Sequence, residues 1–225
     1  MSMEFTQHVF ITGKTNTGKT TFGSEYFKDN DGLNIFFNIQ EEYCVEEKAD
    51  IIITSVGELE SAIAEKNTHI CFNPELAGED INIAQIGVTI RMLMAMGAIA
   101  KREAKGRPEV WATVYIDEIQ EFGEKTGHPI IHRLWKRGLG YGIQAVGLSQ
   151  RPADVSHTVL TQSQDHVIFY VGGYDHPYFK KYQIPIEDHM NHLEQTVMID
   201  GKEVQANFVV WEKQDEIVEY NKLSI

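Results

Sequence analysis

Phe5-Thr6-Gln7-His8-Val9-Phe10-Ile11-Thr12 runs directly into Gly13-Lys14-Thr15-Asn16-Thr17-Gly18-Lys19-Thr20, and the junction decides the fold. The first segment, Phe5 to Thr12, reads as a strand. The second fits G-x-x-x-x-G-K-[ST], and a stretch of helical period, Lys19 to Lys28, begins inside it. Strand, glycine-rich loop and helix in this order form a phosphate cradle. Gly13 and Gly18 let the backbone fold tightly, so that successive N–H groups turn inward on phosphate oxygens. The N-terminus of the following helix adds partial positive charge. Lys19 is expected to reach the β and γ phosphates of ATP, and Thr20 to offer a hydroxyl to Mg²⁺. Lys14, Thr15, Asn16, Thr17 and Thr21 complete the expected nucleotide-binding set.

Outward from this loop, short apolar segments alternate with segments of helical period. Strands are expected at Leu33 to Ile39, Asp50 to Thr54, Thr68 to Phe72, Val110 to Ile116, Ile143 to Leu148 and Val167 to Val171. A long Met-rich helix is expected over Ile81 to Lys105, with apolar residues at 86, 90, 93 and 94. Alternating strands and helices imply an α/β fold, a mainly parallel sheet covered by helices on both faces. The end of the chain differs: Thr196 to Ile199, Asp200-Gly201 and Val204 to Trp211 read as an antiparallel hairpin at the sheet edge. The whole of 1–225 is expected to be one domain, with the hairpin, about 195–211, as its extension.

Trp111 to Ile116 is an apolar strand that ends in Asp117-Glu118. Beside a phosphate loop, Asp117 is placed to hold the Mg²⁺ shell, and Glu118 to polarise the attacking water as general base. Three expected strands separate the two motifs, which fits P-loop ATPases with a strand inserted between the motif strands. No Asn-Lys-x-Asp guanine-reading motif is present, since Asn221-Lys222-Leu223-Ser224 lacks the Asp. GTPases are therefore disfavoured. A small-molecule kinase is disfavoured by Glu118 and by the lack of an arginine-rich lid. The strand Ile143 to Leu148 runs on into Ser149-Gln150-Arg151-Pro152-Ala153-Asp154-Val155, where Gln150 can contact the γ-phosphate or the attacking water.

Phosphate loop, Ile-Asp-Glu, glycine-rich run, and then Ser-Gln-Arg-Pro-Ala-Asp-Val resemble, in that order, the FtsK/HerA superfamily of DNA-pumping ATPases. Within it, a lone ATPase domain of this size is similar to the genome-packaging ATPases of membrane-containing icosahedral viruses with double jelly-roll capsids. The resemblance spans roughly residues 5 to 210. It implies a RecA-like P-loop ATPase that assembles into a homo-oligomeric ring, a hexamer ahead of a pentamer, and moves double-stranded DNA through phosphate contacts. Capsid or membrane-vertex proteins are further implied partners. By the same resemblance, Lys19 and Thr20 bind nucleotide and metal, Asp117 the metal shell, Glu118 is catalytic and Gln150 is the sensor. It also implies an arginine finger from the neighbouring subunit, for which Arg137 is the first candidate and Arg133 the second. A conjugation or plasmid-mobilisation ATPase of the same superfamily and a nucleotide-binding assembly switch with little hydrolysis are the rival readings.

The net charge of −13 over 225 residues excludes a uniformly basic nucleic-acid coat and leaves room for local basic elements. Two such clusters stand out: Lys125, Arg133, Lys136 and Arg137 with His128 and His132, expected on a loop, and Lys101, Arg102, Lys105 and Arg107 at the end of the Met-rich helix. Either can contact DNA phosphates; the second also suits a helix C-terminus. Cys44 and Cys71 lack a metal or disulfide pattern and are expected to be reduced and buried. Met92, Met94 and Met96 are expected in the core or an interface, Trp211 and the aromatics of Tyr174 to Tyr182 in packing, and the nine histidines away from any zinc site. Met1 to Gln7 shows no signal-peptide pattern. The longest apolar runs, Ile35-Phe36-Phe37 and Met92 to Ala100, fall short of the ~20 residues that span a bilayer. A location in the host cytoplasm, or at a virion packaging vertex, is the expectation.

Overall fold

The computed structural model describes residues 5–74, 79–122, 128–199, 202–213 and 217–223. Its strands are β1 (Val9–Thr12), β2 (Leu33–Phe37), β3 (Ile51–Ile53), β4 (His69–Phe72), β5 (Ala112–Ile116), β6 (Ile143–Ser149), β7 (Asp165–Ile168), β8 (Val197–Ile199), β9 (Lys202–Val204), β10 (Asn207–Glu212) and β11 (Ile217–Lys222). The helices are α1 (Lys19–Asp29), α2 (Tyr43–Glu46), α3 (Val56–Ala64), α4 (Glu79–Glu103), α5 (Pro129–Arg137), α6 (His157–Gln162), α7 (His176–Lys181) and α8 (Met190–Leu193).

Among the described residues, one nine-stranded sheet carries the fold, in the order β11-β10-β7-β1-β6-β5-β2-β4-β3. β1 to β7 are parallel, and β10 joins β7 antiparallel. Both faces are covered, so strands read as continuous apolar runs although their side chains alternate. In β1, Val9 and Ile11 pack with Phe22, Tyr26 and Phe27 of α1. Phe10, between them, faces the other way, into a cluster with Ile86, Ile90 and Leu93 of α4 and Ile131, Leu134 and Trp135 of α5. Each such side chain contributes ~1.5–3 kcal/mol when fully buried. A third cluster, Ile168, Phe179, Leu193, Val209 and Trp211, fastens α7 and α8 to β7 and β10.

The C-terminal expectation needs correction. β8 and β9 form a separate two-stranded sheet, while the edge addition is β10 with β11. The run from Val204 to Trp211 reads as one strand, yet the chain leaves pairing at Gln205 and Ala206 and re-enters in the main sheet at Asn207. The expected turn at Asp200-Gly201 lies outside the described residues. The membrane estimate also changes: Ile83–Glu103 within α4 is long and apolar enough by length and composition to cross a bilayer. Its inner face packs on the sheet, with Val88, Met96 and Ile99 outward. Met96 therefore leaves the core that holds Met94, and Met92 lies at the core margin.

Candidate functional site: a phosphate loop beside a buried acidic pair

Four neighbouring parallel strands, β1, β6, β5 and β2, deliver their carboxyl ends side by side. Thr12 pairs with Ser149, and Ile116 with both Gly147 and Phe37. The residues that follow therefore emerge together: Gly13 after β1, Gln150 after β6, Asp117 and Glu118 after β5, and Gln40 shortly after β2. The strand inserted between the two motif strands is β6, as the spacing of the motifs implied.

After β1 the chain turns through Gly13 and reaches α1 at Gly18, whose φ is 96°. A Cβ on Gly13 would stand 2.5 Å from the Phe169 Cβ, and one on Gly18 would stand 2.7 Å from Leu223. Both positions exclude side chains. Asn16 takes a φ of 61°, a conformation Asn tolerates better than most residues. Inside the loop, the Thr17 hydroxyl and the Lys19 Nζ both donate to the Lys14 carbonyl, at 2.8 and 2.9 Å. The Lys14 amide donates to the Tyr170 carbonyl at 2.8 Å, and its Nζ lies over the Tyr170 ring. Thr15, Asn16, Gly18, Lys19, Thr20 and Thr21 line a cleft of about 160 Å³, joined by Glu118 and Gln150. Gly13, Lys14 and Thr17 shape the loop.

Lys19, Asp117 and Glu118 are 6%, 3% and 4% exposed. Burial pushes the Lys19 ammonium below its usual range, against the pull of Glu118, Asp117 and Glu42. Burial, helped by the charge of Glu118, pushes the Asp117 carboxyl up to about 7. Three carboxylates thus act on one buried ammonium, an excess of negative charge that a divalent cation would offset. The Asp117 carboxylate and the Thr20 hydroxyl are hard oxygen donors of the kind Mg²⁺ takes, so the residues fit the ion.

Glu118 has a φ of 46°, the left-handed region, which a non-glycine residue holds only where its surroundings enforce it. Its backbone N–H donates to Asp117 Oδ1 at 3.0 Å. Its Oε1 accepts from Gln40 Nε2 at 3.2 Å and from Gln150 Nε2, and its Oε2 accepts from Gln120 Nε2. Gln150 Oε1 accepts in turn from the Thr15 hydroxyl at 2.6 Å. Gln40, Gln120 and Glu42 are site residues that sequence reasoning missed. The only sequence signal was polar residues just beyond a strand tip.

The arginine candidates lie elsewhere. α5 runs from the carboxyl ends of the strands to their amino ends, so Arg137 and Lys136 finish at the end remote from the cleft, with Arg133 one turn back. All three are exposed. The first basic cluster is therefore spread along a helix rather than carried on a loop: His128 caps one end, accepting from the Ile130 amide, while Arg137 closes the other. Lys125 lies outside the described residues. The second cluster ends α4 at the same pole, where Lys101 Nζ sits 5.4 Å from the Tyr141 ring centroid, two residues before β6.

Two packing expectations also change. Tyr178 and Tyr182 meet edge to face with ring centroids 4.8 Å apart and Phe179 is buried, but Tyr174, carried beyond Gly172-Gly173, is fully exposed. Cys71 is buried, whereas Cys44 is only half-buried and lines the cleft.

No family model and no curated relative matches the chain. Among solved structures, the genome-packaging NTPase B204 of Sulfolobus turreted icosahedral virus 2 in complex with AMP aligns over 99% of this chain and 100% of its own, at 15% identity and a TM-score of 0.68. B204 in complex with ATP-gammaS aligns over 97% and 98%, at 16% identity and a TM-score of 0.66. VirB4 of Thermoanaerobacter pseudethanolicus aligns over 97% of this chain and 89% of its own, at 10% identity and a TM-score of 0.63. The order of strands, the loop after β1 and these end-to-end alignments agree: the chain has the P-loop ATPase fold that B204 and VirB4 share.

Proposed function

We propose that the chain is a Mg²⁺-dependent ATPase that assembles into a ring and drives double-stranded DNA, as the packaging motor of a viral genome. A hexamer is favoured over a pentamer, working in the host cytoplasm or at a packaging vertex beside capsid or membrane-vertex proteins. The carrying observation is the convergence of Lys19, Glu118 and Gln150 on one cleft at the tips of adjacent strands. The end-to-end match to a packaging NTPase supports the particular motor.

In this reading the loop amides and Lys19 hold the β and γ phosphates. Thr20 and Asp117 hold Mg²⁺, which when bound neutralises phosphate charge. Glu118 accepts the proton of the attacking water as its oxygen bonds to the γ-phosphorus and the bond to the β-phosphate oxygen breaks. Lys19 and an arginine from the neighbouring subunit, Arg137 ahead of Arg133, stabilise the charge of the transition state. A VirB4-like conjugation ATPase is the second reading, favoured by the 97% alignment to VirB4.

Steady-state ATP hydrolysis by an assembled sample, with and without double-stranded DNA, tests the proposal. DNA is expected to raise turnover. Glu118→Gln is expected to lower it by about a hundredfold or more while ATP-gammaS still binds. Turnover indifferent to both, in a sample shown by sedimentation to be assembled, would favour the assembly switch.

A further inference from the structure

A general base must keep a lone pair directed at its water, within about 2.6–3.2 Å. An unrestrained glutamate samples many rotamers and meets that condition only part of the time. Here the Glu118 carboxylate is held from three sides. Gln150 reaches it from the tip of β6 and Gln40 from beyond the tip of β2, the two strands that flank β5. Gln120 reaches it from the turn that follows β5. A carboxylate offers about four lone-pair sites. Gln40 and Gln150 together occupy both sites of Oε1, and Gln120 takes one of Oε2.

The three amides are not equivalent. Gln150 is also held by the Thr15 hydroxyl, so it alone links Glu118 to the phosphate loop. A γ-phosphate bound near Thr15 offers Gln150 a better acceptor, and its departure opens one lone pair of Oε1. Among the described residues, neither Gln40 nor Gln120 hydrogen-bonds the phosphate loop. Gln120 Oε1 is buried with no hydrogen-bond partner there, so its N–H on Glu118 is the bond that fixes the amide. The left-handed backbone of Glu118 has the same consequence, since the carboxylate is aimed by a conformation its surroundings impose.

We propose that Gln40 and Gln120 are positioning residues, a two-point tether that keeps the Glu118 carboxylate aimed while Gln150 exchanges it for the γ-phosphate and frees the lone pair that receives the water. The proposal rests on Glu118 being the base, so Glu118→Gln runs beside every variant. Gln40→Met and Gln120→Met keep side-chain length and remove the N–H. In the full assembled chain, each is expected to lower kcat about tenfold. KM for ATP should stay within about twofold of wild type, and single-turnover hydrolysis should slow in step with kcat. The alanine variants are expected to do no more harm than the methionine ones.

ATP-gammaS affinity and the thermal midpoint establish that each variant is folded. If one of the two methionine variants fails to fold, the other carries the test. Wild-type or raised kcat in a folded methionine variant would overturn the tether, as would a raised KM with kcat unchanged. Should Glu118→Gln itself keep wild-type turnover, the base assignment falls and the tether with it. A dead Glu118→Gln beside undiminished methionine variants removes the tether alone.

Discussion

At the carboxyl ends of β1, β6 and β5, Lys19, Asp117 and Glu118 are buried together and each is answered by a partner. At the amino ends of the same strands, Lys101, Arg102, Lys105, Arg107, Lys136 and Arg137 stand exposed, and among the described residues none forms an ion pair. Charges removed from water must be matched by nearby groups, because desolvation otherwise drives them neutral. Charges left in water at the ends of α4 and α5 need only the helix C-termini beside them. They remain available to a polyanion or to a neighbouring subunit. The charges of the first pole are held in place by their neighbours, and those of the second stand in solvent.

The largest expected effect breaks or sharpens that division. In an assembled ring, Arg137→Ala should lower turnover by ~10³, the scale of an arginine supplied in trans. Affinity for ATP-gammaS should not change, because Arg137 is remote from its own cleft. Mixing Arg137→Ala with Glu118→Gln subunits should restore part of the rate, since some interfaces then pair an intact Arg137 with an intact Glu118. Unchanged turnover in Arg137→Ala, together with a large loss in Arg133→Ala, would move the finger one turn back along α5. Unchanged turnover in both would leave the basic pole without a catalytic part.

The poles also oppose one another in pH. Asp117, raised to about 7, binds its proton more tightly folded than unfolded, so its share of stability falls as pH rises from about 4 to 7. His8, at the basic pole, is buried against Trp135, and its Nδ1 accepts from the Ala145 amide at 2.9 Å. Burial lowers it from 6.5 to about 4. Between those values the unfolded chain binds the proton and the folded chain does not, so stability is lost as pH falls through that window. The loss approaches ~3 kcal/mol at the lower end. His166, also lowered to about 4 by burial, acts in the same direction. His8→Asn keeps an acceptor for the Ala145 amide and removes one of these titrations. Urea midpoints at pH 7 and pH 4.5 should therefore differ less in the variant than in wild type. Equal differences would mean that His8 charges without unfolding the chain.

How much of this was legible in the sequence depends on the distance along the chain between partners. The phosphate loop was legible because Thr12, the glycines and α1 are contiguous, and their local geometry needs no distant partner. Asp117 and Glu118 were legible because an apolar strand ends on them. Gln40 was not, because its place beside Glu118 exists only once β2 pairs with β5, across more than seventy residues. The basic pole was hidden for a similar reason. Its two clusters lie some thirty residues apart and meet only where α4 and α5 both finish beside Tyr141. The terminal strands misled because apolar periodicity cannot show that a run changes sheets midway, as this one does at Gln205 and Ala206.

The smallest expected effect separates the uses of that basic pole. A lysine or arginine that neutralises a DNA phosphate releases condensed counterion, and log K for binding then falls with log salt by about 0.9 for each contact. Lys101 and Arg102 lie in the last turn of α4 with their side chains exposed, Lys101 over the Tyr141 ring. Replacing both with alanine should therefore reduce the salt slope of double-stranded DNA binding by about 2. Affinity should drop by a similar factor on every duplex sequence, because phosphate contacts carry no base information. Turnover without DNA should stay near wild type, since neither residue approaches the cleft. A slope unchanged by the double substitution, with DNA affinity intact, would assign these cations to the helix terminus alone. If assembly weakened while the slope held, they would belong to the subunit contact, and the pole would then be an interface along both helices.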